Sequence, residues 1–115
     1  MSINQITPLN KATIWVPITP TTGAITIAFA QDMLRLTGGV TSHDADGLYL
    51  HADGSIAADT VKVLTVYFTG EGEAVITRFY EFAEELIEAG EEAVLLDVDI
   101  RPGPTGRLIS TRTTR

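Results

Sequence analysis

Two amphipathic helix patterns, separated by two strand patterns and flanked by one more on each side, limit this chain to very few folds. From Ala24 to Leu36 the apolar residues Ile25, Phe29, Met33 and Leu36 recur at spacings of four, four and three, so they share one face of a helix. Gly38-Gly39 closes that helix, because glycine readily enters the left-handed conformation that helix ends use. The second pattern, Glu73 to Ala89, gathers Ile76, Phe79, Ala83 and Leu86 on one face, keeps Glu81, Glu84, Glu85 and Glu88 mostly off it, and stops at Gly90. Between the helices lie an extended but interrupted segment, Val40 to Leu50, and an apolar strand, Lys62 to Phe68, joined through the turn pair Asp53-Gly54. Thr13 to Ile18 and Ala93 to Ile100 supply the outer strands.

The order strand, helix, strand, strand, helix, strand predicts an α+β fold. It is the ferredoxin-like βαββαβ sandwich, a four-stranded antiparallel sheet with two helices on one face. With 115 residues the chain has room for one core. We place that domain at 13–100, after a lead-in at 1–12 and before a basic, flexible tail at 101–115. Pro17 cannot donate to a sheet ladder, so a bulge or an early strand end is expected there.

Composition removes several function classes. There is no cysteine, which excludes a disulfide framework, a thiolate metal site and a cysteine nucleophile. The amino terminus lacks a basic start followed by an apolar core, and no stretch approaches the roughly 18 apolar residues of a membrane helix, so a cytoplasmic, non-membrane protein is expected. Residues 1–100 hold all fifteen acids and only four of the eight basic residues. The acidic body repels phosphate backbones, which argues against a nucleic-acid partner, while Arg101, Arg107, Arg112 and Arg115 make the tail basic.

Gly38, Gly39 and Thr41, then Gly47-Leu48-Tyr49, Asp53-Gly54 and the apolar pair Val63-Leu64 form a pattern that resembles a group of small uncharacterised ferredoxin-like bacterial proteins. The similarity spans about half the chain and departs from the pattern at Tyr49 and at Ala57-Ala58-Asp59. It implies the fold and brings no activity, cofactor or catalytic residue with it.

The stretch Ser42 to Asp53, SHDADGLYLHAD, is the one place where metal-ligating residue types concentrate. Aligned on Gly47 it imitates a calcium loop through Ser42, Asp44, Asp46 and Asp53, but serine and a short aspartate replace the carboxylates a large hard cation needs at the ends. His43, Asp44, Asp46 and His51 are the candidate ligands for zinc or iron. The cheaper reading takes Asp46-Gly47 as a bend or bulge and Asp53-Gly54 as the hairpin turn, with no metal and no cofactor.

Strand parity points to a second surface. If Ile14, Val16 and Ile18, then Leu48 and Leu50, then Leu64, Val66 and Phe68, then Val94, Leu96, Val98 and Ile100 face the helices, the opposite face holds Trp15, Tyr49, His51, Val63, Thr65, Tyr67, Leu95, Asp97 and Asp99. Such an aromatic face predicts a self-associating homodimer or a cleft for a partner or small ligand, formed by Trp15, Tyr49, Val63, Thr65, Tyr67 and Leu95. The alternative is a small enzyme in which His51 with Asp97 or Asp99 acts as general base on that face.

Overall fold

In the computed structural model, which describes residues 9–70, 72–91, 93–100 and 103–110, the expected elements appear in the expected order. They are β1 (Asn10–Pro17), α1 (Gly23–Thr37), β2 (Thr41–Leu50), β3 (Ile56–Phe68), α2 (Glu73–Glu88), β4 (Ala93–Ile100) and β5 (Gly103–Ser110). All strands pair antiparallel in one sheet of order β2-β3-β1-β4-β5, so the four-stranded ferredoxin-like core carries a fifth strand at its edge.

Alternation decides the core. Ala12, Ile14 and Val16 of β1, Leu64, Val66 and Phe68 of β3, and Val94, Leu96 and Val98 of β4 point to the helix side and pack with Phe29 and Met33 of α1 and Phe79, Phe82 and Leu86 of α2. Each such large side chain taken out of water contributes about 1.5–3 kcal/mol. The helices are also tied together by charge. Arg78 Nε of α2 donates to Asp32 Oδ2 of α1 at 2.7 Å, and its guanidinium lies 5.6 Å from the centre of the Phe29 ring. That hydrogen bond, with the charges of Arg78 and Arg35, holds the Asp32 carboxyl below its ordinary range.

Several local expectations change. Of the two outcomes expected at Pro17, the early strand end is found and the bulge is not: the β1–β3 register runs without insertion from Asn10↔Phe68 to Pro17↔Val61, and β1 stops at Pro17, two residues beyond its last pair with β4, Trp15↔Leu95. No bulge forms at Asp46-Gly47 either, because β2 and β3 keep one register from Thr41↔Thr65 to Leu50↔Ile56. A ladder of ten consecutive pairs carries the strand through a glycine that costs only local side-chain packing. The turn itself is a short loop in which Gly54 adopts φ +89, His51 N–H donates to Ser55 O and Gly54 N–H to His51 O.

The tail expected to be flexible is instead β5 over Gly103–Ser110, paired with β4 from Ile100↔Gly103 to Ala93↔Ser110. Two glycines and Pro104 hide this strand from propensity, yet an edge position tolerates proline because one side of its ladder has no partner strand. Arg107 therefore lies on a strand, while Arg101, Arg112, Arg115 and residues 1–8 fall outside the described residues. At the other end β1 begins at Asn10, so part of the expected lead-in belongs to the sheet.

Leu48 and Leu50 do share the helix-side parity, but they are 72% and 70% exposed. β1 ends opposite Val61, so beyond that row β2 and β3 continue as a two-stranded arm that, among the described residues, has no helix above it and no third strand beside it. Among the described residues no helix is long and apolar enough to cross a membrane.

Candidate functional site

The open face of the sheet is built in rows. Trp15 sits in register between Val63 on one side and Leu95 on the other, with His43 opposite Val63 at the edge. In the next row Thr41, Thr65, Thr13 and Asp97 align, and Thr13 and Thr65 join their hydroxyls at 3.1 Å. The row after that brings Tyr67, Lys11 and Asp99 together. The face is narrower as an apolar surface than parity alone suggested: Val63 is buried, Trp15 half-buried, and Tyr67 and Leu95 are half-exposed among threonines and charges. Tyr49 stands apart, opposite Ala57 in the arm and six residues along β2 from the row of Trp15, about 20 Å away.

The acid–base pair is not assembled. His51 lies in the arm's loop, whereas Asp97 belongs to the row that contains Thr41, ten residues away along β2 and thus about 30 Å distant. Asp99 lies one row farther still. A general base must reach its proton within hydrogen-bonding distance, directly or through one water, so His51 with either aspartate forms no such site.

The metal candidates separate for a similar reason. Successive residues of a strand point to opposite faces, so His43 is turned away from Asp44 and Asp46, and His51 lies beyond the strand end. Asp44 is already engaged by Lys62 Nζ at 2.8 Å. Asp53 accepts from the Ser55 hydroxyl and backbone N–H, which hold its carboxyl below the ordinary range and commit it to the turn. Among the described residues no three histidines or carboxylates gather in a way that could hold a metal ion.

What the structure does build is a groove of about 490 Å³ on the helix side, between the outer flank of α1 and the strands below. Val16 and Leu64 form its floor, Ile27, Ala30 and Leu34 its helical wall, and Ile18 and Val40 its ends. Ser42 and Lys62 stand at the rim over β2 and β3. The segment Pro17 to Thr22 is knotted into position: the buried Thr22 hydroxyl donates to Pro17 O at 2.9 Å and accepts from Thr19 N–H at 3.0 Å. Thr26 then fastens the first turn of α1 by donating to Thr22 O at 2.7 Å. The product is a fixed apolar slot with hydroxyls at one end and an ammonium at its margin, suited to a mostly apolar body with a few polar edges.

This groove was missed by the pattern that located α1. Ile27, Ala30 and Leu34 follow one another at three and four residues, a second apolar flank beside the core stripe, and that spacing was readable as surplus apolar surface. Helix periodicity cannot say which flank receives a neighbour.

Fold and site together define a small ferredoxin-like α+β protein with a helix-side groove and a projecting hairpin. No known family model matches the chain, and no curated protein sequence does. Among solved structures, it is similar to a phage SAM lyase in complex with S-methyl-5'-thioadenosine, with a TM-score of 0.65 at 12% identity, over 96% of this chain and 98% of that one. A phage SAM lyase in the apo state gives a TM-score of 0.58 at 12% identity over 89% of each chain. The periplasmic divalent cation tolerance protein CutA from Archaeoglobus fulgidus gives 0.51 at 17% identity over 84% of this chain and 87% of that one. At these identities the likeness is one of fold.

Proposed function

We propose that this chain is a small-molecule-binding protein whose site is the groove beneath α1, and that its ligand is a flat, weakly charged molecule of nucleoside size. The observation that carries the reading is the groove itself: about 490 Å³ with aliphatic walls, threonine hydroxyls at one end and Lys62 at the rim. Ligand sites are commonly of this size and character. The thioadenosine ligand held by a phage SAM lyase of similar fold supports a nucleoside thioether as the first compound to try. Because His51 is remote from Asp97 and Asp99, binding rather than turnover is the activity proposed. A cytoplasmic setting belongs to the reading and rests on the sequence alone.

Calorimetry with S-methyl-5'-thioadenosine and with adenosine tests it. The expected result is saturable binding to the wild type, weakened by about tenfold or more in Ala30→Trp, whose indole fills the groove from a half-buried wall position. Absence of heat and of any thermal shift with both compounds at millimolar concentration would falsify the groove as a nucleoside site.

A second reading keeps the open sheet face as a homodimer surface, favoured by the stripe of Val63, Trp15 and Leu95 beside Tyr67. On that reading Trp15→Glu sediments as a monomer, and an unchanged sedimentation coefficient removes the face from any assembly.

A further inference from the structure

The arm is the part of the molecule that its own fold leaves unexplained. Past the row Ala45–Val61 the strands run on to Leu50 and Ile56, about 17 Å; Ile18 N–H still donates to Thr60 O at 3.1 Å at the base, and beyond that, among the described residues, β1 and the two helices make no pairing with the arm. An isolated two-stranded hairpin is marginal in water. Its helix-side face is nonetheless apolar at the tip, where Leu48, Leu50 and Ile56 are 72%, 70% and 73% exposed around Ala58. Three neighbouring aliphatic side chains exposed to this degree form a patch of the kind that marks an interaction surface.

The same chain carries a matching surface. Of the ten large hydrophobic side chains exposed among the described residues, three are Leu48, Leu50 and Ile56 on the arm, and three are Ile18, Ile27 and Leu34 on the lip of the groove. The arm cannot cover its own groove, because one continuous register carries it away in the plane of the sheet. The groove in turn is open on one side, whereas sites for small ligands commonly bury most of the ligand surface.

We propose that the arm of one copy lies across the α1 groove of a second copy, with Leu48, Leu50 and Ile56 against Ile18, Ile27 and Leu34, so that the ligand site is completed between subunits. The contact is head to tail, and each copy supplies one arm and one groove, so every copy can both dock and be docked upon. Docking takes out of water three exposed aliphatic side chains on each of the two surfaces, which a single copy leaves in solvent. The docking stands on the two surfaces alone; the shared site rests also on the groove being the ligand site.

Sedimentation of four proteins tests the docking: wild type, an arm variant Leu48→Glu/Ile56→Glu, a groove variant Ile27→Glu/Leu34→Glu, and Trp15→Glu. Wild type and Trp15→Glu are expected to assemble, and the arm and groove variants to be monomeric with unchanged circular dichroism, since all four substituted positions are exposed. Mixing the arm and groove variants should yield a one-to-one heterodimer, because one partner retains its groove and the other its arm. A monomeric wild type, an assembled arm variant, or a mixture that stays monomeric overturns the docking. For the shared site, S-methyl-5'-thioadenosine should bind the arm variant at least about tenfold more weakly than wild type although its groove is intact. Equal binding by both overturns the shared site and leaves the groove as a one-copy site. Assembly as expected with no binding to wild type overturns the groove reading and the shared site together, while the docking stands.

Discussion

Phe29→Ala should destabilise the folded protein by about 3–5 kcal/mol, the range for truncating a buried aromatic residue. Phe29 is fully buried between the two helices. Its ring stacks on Phe82, with centroids 4.2 Å apart and planes inclined by 10°, and meets Phe79 edge to face at 4.8 Å. Truncation removes both aromatic contacts and the face on which the Arg78 guanidinium rests, while Arg78 stays fixed by Asp32 and cannot move in to fill the space. Domains of this size are stable by only about 5–15 kcal/mol, so a large share of the total is at stake. Denaturant titration measures the effect as a lowered midpoint with an unchanged slope. A loss below about 1 kcal/mol would mean that the aromatic cluster is not packed as described.

Gly72→Ala is expected to rank next, at about 2–4 kcal/mol, with a drop in Tm of roughly 10 °C or more. Gly72 precedes α2 with φ +61, a left-handed conformation that costs a non-glycine residue about 1 kcal/mol. The larger part of the effect is steric, because a Cβ at this position would overlap the Phe68 ring, which belongs to the core. Phe68 is held by the sheet below and the helices above, so it can give way only by disturbing that packing. Gly70→Ala provides the control: Gly70 also has a positive φ, of 71, but open space around its Cβ position. If the two variants lose equal stability, the overlap with Phe68 contributes nothing.

Much of the fold was legible because backbone geometry is local. Spacings of three and four located α1 and α2, alternation assigned Ile14, Val16, Leu64, Val66, Leu96 and Val98 to the core face, and Asp53-Gly54 marked the hairpin turn. The candidate site was less legible. Trp15, Val63, Thr65, Tyr67 and Leu95 do share the open face, yet Tyr49 and His51 follow β2 into the arm, far from Asp97 and Asp99. Parity tells which side of a sheet a residue occupies and says nothing about its distance along the strand from another residue on that side.

Leu48 and Val66 make the same point from the core. Both have helix-side parity in apolar strand patterns, and one is 72% exposed while the other is buried. The sequence by itself determined the order of elements, their faces and the turn between β2 and β3, because each of these depends on side-chain direction within a few residues. Only the tertiary structure decided where β1 stops supporting β3, that 103–110 pairs with β4, and that the second flank of α1 overhangs a groove. Those outcomes depend on which distant segment lies alongside, and exposure is a property of that neighbour as much as of the residue.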